Sequence, residues 1–370
     1  MRKLLFLLIF VLFTSGTLQK RGKPRMKRHN RTDSAVPNPR TFSGDPLNQY
    51  KTQAPETSHS HPALTLRSNS TAGYLDSPLS TRVIPIIYIL VLVVGIPANA
   101  AILCTLYSKI RKVSCAILYC SLAVSDLFLL LSLIFKAHYH FYGNHWVLGE
   151  AACRVVTACF YGNLYCSAQT LACISIKRYL AVVHPFKYKS LPKRTCTAWV
   201  TLAVWMVFGA AVVPELLIQQ SYWLPELGRT TCHDVLPLDY DSHMFLLYYN
   251  LILAVFGLLL PLVTTVLCFT RIVCELKKSQ NDWSLYIKAS SLVFVIFLLC
   301  FTPAVVLHFL HYVQLFVDRN ETLYVYFNVA VCLCCLHACL DPFLFLLMSK
   351  SSGSSRYFRA FKGKTLSISV

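Results

Sequence analysis

The chain has 370 residues, is 55% hydrophobic and carries charge at only 14% of its positions, against about 25% in soluble domains. That balance excludes an ordinary water-soluble enzyme domain and points to the bilayer. The formal net charge of +19 would suit a nucleic-acid binder in a soluble protein, but topology accounts for it here and nucleic acid is set aside as a partner.

Residues 1–16 read as a signal peptide. Arg2 and Lys3 are followed by the apolar run Leu4 to Phe13 and the small residues Thr14-Ser15-Gly16. The run is shorter than the roughly 20 residues a spanning helix needs. An uncleaved signal anchor is the alternative. Residues 17–80 are rich in Pro, Ser, Thr and Lys and hold too few large apolar residues to fold alone, so a disordered leader is expected.

Seven apolar segments follow, near 83–107, 115–138, 150–183, 196–218, 244–273, 285–313 and 322–347. Their orientation follows from the positive-inside rule. The breaks after spans one, three and five hold Lys109, Arg111 and Lys112; Lys187, Lys189, Lys193 and Arg194; and Lys277 and Lys278. The opposite breaks hold little beyond Arg229 and Arg319. The leader is therefore outside and the C-terminus inside. The expected fold is an all-α membrane protein, a seven-transmembrane helix bundle with a disordered extracellular N-terminal leader, in the plasma membrane.

Glycosylation sequons at Asn30, Asn69 and Asn320 all fall outside in this topology. Of 16 cysteines only Cys153 and Cys232 reach the outer face, where an oxidising compartment would pair them. Cys332, Cys334, Cys335 and Cys339 surround much of one helix and read as small packing residues rather than a zinc site. His138, His140 and His145 at the outer rim read as polar loop residues. No metal site is expected from either group.

Gly95-Ile96-Pro97-Ala98-Asn99, Ser121-Leu122-Ala123-Val124-Ser125-Asp126, Trp205, Pro261, Cys300-Phe301-Thr302-Pro303 and Asp341-Pro342 stand in order along the spans. Together they resemble the landmarks of rhodopsin-like G-protein-coupled receptors. Thr231-Cys232-His233-Asp234-Val235 and the Asp in Asp341-Pro342 narrow the likeness to the protease-activated receptors.

The resemblance implies that a trypsin-like serine protease such as thrombin cuts after Arg40, releasing a propeptide of residues 17–40. Thr41, Phe42, Ser43, Gly44, Asp45 and Pro46 would then be a tethered ligand at the head of an extracellular tail, residues 41–82. Such a protease wants a cation at the scissile position, and Pro37 and Pro39 hold the segment extended. Arg21, Arg25, Arg28 and Arg31 are competing cuts. The run after the site is poor in acid, with only Asp45 and Glu56 in residues 45–60, which weakens docking to a basic exosite. His233, Asp234, Asp239, His311, Tyr312, Tyr324 and Phe327 match the family's ligand pocket, with Asp234 offering carboxylate to the Thr41 amine.

Inside the receptor domain, residues 83–347, the resemblance implies that Asp126, Asn163, Ser167 and Asp341 share a sodium ion or waters. No other cofactor is expected. His337 stands where an amide is usual and could neutralise one carboxylate in the ion's place. Arg178 and Phe186 match the contacts to a heterotrimeric G protein. The usual acid before that arginine is Lys177 here, and Phe269 and Phe345 replace two tyrosines that meet in the active state. Losing their hydroxyls removes a water-bridged bond worth about 1 kcal/mol. The cytoplasmic tail, residues 348–370, offers a short amphipathic helix around Arg356 to Lys362.

Two functions remain open: a receptor switched on by proteolysis, and a cleavable cofactor or dimer partner that assists a sister receptor. Neither is an enzyme. A transporter or intramembrane enzyme is set aside, because the spans lack inverted repeats and a catalytic pair of acids in a Gly motif.

Overall fold

The computed structural model describes residues 41–47, 62–107, 114–237, 249–277, 284–317 and 323–346. The signal peptide, Arg40, Asn30, Asn320, Asp239 and the cytoplasmic tail lie outside the described residues.

Seven long helices form one bundle. Span one is Ile84–Tyr107, span two Ser114–Phe141, span three Gly149–Val183 and span four Lys193–Leu217. Span five is Tyr249–Lys277 and span seven Leu323–Leu346. Span six joins Ser284–Ile296, a π-helical turn Phe297–Phe301, and Thr302–Val317. Six of them are apolar and long enough to cross a membrane. Span three is longer and more polar, and its middle is buried on most sides by spans two, four and five. All seven sequence-predicted spans are present, with ends shifted by a few residues.

The prolines explain the irregular turns. Proline removes an amide donor and pushes on the preceding turn, and a widened turn relieves both. Span five has a π-helical stretch, Leu253–Leu259, just before Pro261, and span six has Phe297–Phe301 before Pro303. The Thr302 hydroxyl donates to the Phe297 carbonyl at 2.9 Å, supplying a partner inside the widened turn. Asn99 ties span one to span seven, donating to the Ala338 carbonyl at 2.8 Å. Trp205 of span four donates to Ser121 of span two at 2.8 Å. Cys332, Cys334 and Cys335 pack in the hydrophobic core.

The extracellular side is not purely helical. Strands β3 (Ser221–Leu224) and β4 (Arg229–Cys232) form an antiparallel hairpin in the loop after span four. Strand β5 (Val235–Pro237) follows directly. The tail contributes β1 (Phe42–Pro46), β2 (Leu64–Leu66) and a helix, α1 (Asn69–Asp76), before a π-helical turn Leu79–Val83 leads into span one. Part of the leader expected to be disordered is thus ordered against the receptor. Its few apolar residues cannot form a core alone, but Phe42, Leu64, Tyr74 and Leu75 join the bundle's core.

Candidate functional site

A disulfide joins Cys153, at the top of span three, to Cys232 at the end of β4, with Cα atoms 5.7 Å apart. It fixes the hairpin over the bundle. The next residue, His233, turns the chain with φ 69°, a left-handed conformation that L-residues rarely adopt. Its N–H donates to the Gln220 carbonyl at 2.8 Å, and its ring meets the Gln220 side chain at 2.6 Å and Tyr161 at 5.0 Å between centroids. Glu150 anchors the loop's start, accepting from the N–H groups of Gln220 and Ser221 at 2.8 and 2.7 Å. Glu150 is a half-buried carboxylate. Arg154 donates to the same carboxylate at 2.5 Å.

This corner aims β5 across the bundle mouth, and β1 pairs with it in parallel: Phe42 with Val235, Ser43 with Leu236, Gly44 with Pro237. The Phe42 N–H donates to the Asp234 carbonyl at 2.8 Å. The Phe42 ring is 1% exposed, edge-on to Tyr324 of span seven at 4.5 Å and tilted against Tyr74 of α1 at 5.7 Å. Thr41, Phe42, Ser43 and Gly44 are buried, while Asp45 and Pro46 are exposed.

The Asp234 carboxylate accepts from the Tyr139 hydroxyl at 2.6 Å and the Tyr324 hydroxyl at 3.3 Å. Beneath lies a small cavity lined by Tyr74, Tyr88, Lys136, His140, Tyr161 and Asp234, among others. Of the residues expected here, Asp234 and Tyr324 meet the β1 segment, and His233 forms the corner before Asp234 with its ring on Gln220 and Tyr161. His311 and Phe327 are also buried; His311 lies 6.2 Å from the Tyr324 ring, and Phe327 packs on Tyr324 and His308. Tyr312 lies on span six. Tyr74, Tyr139, Leu64 and Val235 were not anticipated. Tyr74 and Tyr139 look in sequence like any aromatic at a bilayer interface.

Deeper in the bundle, Asp126 accepts from Ser167 at 3.2 Å and from Asn163 at 3.4 Å, and His337 Nε2 lies 3.5 Å from the same oxygen. Ligand atoms of Asp126, His337 and Asp341 lie within 4.8 Å of one another, all buried. The second Asp126 oxygen, both Asp341 oxygens and the Asn163 carbonyl have no hydrogen-bond partner among the described residues. Such a concentration of buried acceptors calls for a cation or for a proton shared between the two carboxylates.

At the cytoplasmic side, Arg178 is buried and donates to the Tyr119 hydroxyl at 3.0 Å. Lys177 donates to Ser114 of span two at 3.1 Å and to Thr197 of span four at 2.7 Å. Phe186, in the short helix α2 (Pro185–Ser190), is 84% exposed. Phe269 stacks on Phe294 at 4.6 Å, and Phe345 meets Tyr119 edge-on at 5.9 Å. Asn69 is exposed at the start of α1.

The 7 transmembrane receptor (rhodopsin family) model matches residues 98–345. Proteinase-activated receptor 3 of Bos taurus is 45% identical over 288 residues, 78% of this chain and 76% of its own. Proteinase-activated receptor 3 of Homo sapiens is 43% identical over 305 residues, 82% of this chain and 81% of its own. The chain belongs to the proteinase-activated receptors. The receptor is a multi-pass plasma-membrane protein and not an enzyme. Proteinase-activated receptor 2 of Mus musculus is more distant, at 32% identity over 333 residues, 87% of this chain and 82% of its own. The likeness to these two third-type receptors is thus stronger than to this second-type receptor.

Proposed function

We propose that this receptor is switched on when a trypsin-like serine protease such as thrombin cleaves after Arg40, so that Thr41 becomes the first residue of a tethered ligand, Thr41 to Pro46. The observation that carries this reading is the docked β1 strand, with Phe42 enclosed between Tyr74 and Tyr324. A short segment of a polar leader, directly after an arginine, is thus seated in the bundle mouth. Main-chain pairing to β5 supplies affinity, and the Phe42 pocket supplies specificity. Tethering adds an effective concentration of about millimolar, so weak docking is enough.

Before cleavage the Thr41 nitrogen is an uncharged amide. After cleavage it is an ammonium, and a buried charge needs a partner. The parallel register, continued by one residue from the Phe42–Val235 pair, sets Thr41 beside Asp234. Charge pairing there would pull on the hydrogen bonds that hold Asp234 to Tyr139 and Tyr324. That links the new terminus to spans two and seven. Arg178 and Phe186 then meet a heterotrimeric G protein, and His337, 3.5 Å from Asp126, stands where relatives of this fold would hold sodium.

A specific observation also supports a second reading, in which the chain assists a sister receptor as a cleavable dimer partner. Phe269 and Phe345 are packed against aromatic rings and have no hydroxyl to join in an active-state latch. The test is calcium release from cells expressing this chain alone, with Arg40 intact or Arg40→Ala, after protease treatment. A response abolished by the substitution supports the receptor. Clean cleavage that signals only when a sister receptor is present supports the partner role.

A further inference from the structure

β1 is the central strand of its sheet, not an edge strand: the order is β2–β1–β5. On the side away from the loop it pairs antiparallel with β2, Gly44 with Leu66, Asp45 with Thr65 and Pro46 with Leu64. The Leu47 N–H donates to the Ala63 carbonyl at 3.2 Å, and the Thr65 hydroxyl to the Asp45 carbonyl at 3.2 Å. The β2 segment is itself held from behind, since the Trp223 N–H of β3 donates to the Pro62 carbonyl at 3.0 Å. Leu64 is 2% exposed.

Gly44 is where these walls close. A Cβ built there would lie 3.0 Å from Leu64 Cβ, 3.1 Å from Val235 Cγ1 and 3.2 Å from Leu64 Cδ1. One methyl group therefore meets β2 and β5 at once. Continuing along the tail, α1 brings Tyr74 against Phe42, and the Tyr74 hydroxyl accepts from Asn328 of span seven at 3.3 Å.

We infer that residues 62–76 of the receptor's own tail are the second wall of the ligand site, and that Leu64, with Val235, selects glycine at the fourth position of the ligand. This deepens the tethered-ligand reading and rests on it. The ligand is not laid on a finished receptor surface. It closes a hairpin with the chain that follows it, and slides into a slot whose two edges come from the tail and the outer loop. A peptide that fits must be extended, carry an aromatic second residue, and have no side chain at the fourth.

The direct test is a cross-strand disulfide in the full-length receptor. Asp45→Cys with Thr65→Cys, a directly paired position, is compared with Asp45→Cys and Ser70→Cys as an off-register control. A lysine-specific protease then cuts the intervening chain at Lys51, and the fragment that ends at Lys51 and contains Thr41 to Pro46 is followed without reductant. The paired variant is expected to retain it and the control to lose it. Adding Gly44→Ala to the paired variant should lower cross-linking roughly tenfold, the usual effect of one methyl forced into a packed site. Leu64→Gly should restore it. Cell-surface staining checks that each variant folds. Equal retention in pair and control, or indifference to Gly44→Ala, overturns the inference. Calcium release on protease treatment is read in parallel in the wild type. A receptor that responds without cross-linking loses only the second wall. One that cross-links without responding loses the activation reading and keeps the wall.

Discussion

Replacing Phe42 by alanine removes the side chain on which the proposed ligand depends most. The ring is almost fully buried and makes two aromatic contacts, to Tyr324 and Tyr74. Phe→Ala in a packed site costs about 3–5 kcal/mol. Each 1.4 kcal/mol is about tenfold in an equilibrium constant, so docking should weaken by about 10² to 10³ or more. A segment at about millimolar effective concentration cannot offset such a loss if its intrinsic affinity is weak. The assay is a protease concentration series on cells expressing wild type or Phe42→Ala, with surface release of the leader measured alongside the signal. Phe42 is the second residue past the cut and touches the protease too, so the two receptors are compared at equal release, where the signal of the variant should collapse. Phe42→Tyr should lose much as well, since a hydroxyl would be driven into the aromatic floor. Equal signalling by Phe42→Ala at equal cleavage would refute the docked-strand account.

Other outcomes follow from single contacts. The double variant Cys153→Ala with Cys232→Ala releases the hairpin that aims β5 and should cost about 2–5 kcal/mol, seen as lower surface expression and a lower Tm. Lys177→Met leaves Ser114 and Thr197 without their shared donor. At about 1.5–3 kcal/mol for a charged hydrogen bond, thermal unfolding in detergent should shift down measurably. Sodium should hardly change peptide binding to the wild-type receptor but should change it in His337→Asn, because the imidazole no longer stands beside Asp126. Equal sodium response in both would remove His337 from that role.

The bundle was legible because lipid allows little else: long apolar runs must be helices, and lysines and arginines mark the inner ends. Asp126, Asn163, Ser167 and Asp341 could be named together through the receptor resemblance, which supplies the facing of spans two, three and seven. The outer site was only half legible. His233, Asp234 and Tyr324 could be named, but their contacts could not, because β1 pairs with β5 across almost 200 residues of sequence. The Leu64-Thr65-Leu66 strand was missed for a physical reason. Three residues have no detectable alternation, and this strand exists only because β1 and the β3 hairpin flank it. Tyr139 was hidden differently: its hydrogen bond to Asp234 depends on the His233 corner, a left-handed turn at a residue type that does not announce one.

The central claim is that proteolysis exposes Thr41 and that this terminus docks. Mass-spectrometric sequencing of the receptor's new N-terminus, on cells sampled at the moment of half-maximal response, tests it most directly. The account predicts a terminus reading Thr41-Phe42-Ser43-Gly44, appearing in step with the signal. A response that accompanies cuts only at Arg21, Arg25, Arg28 or Arg31, or only at Lys51 beyond the ligand, would contradict it.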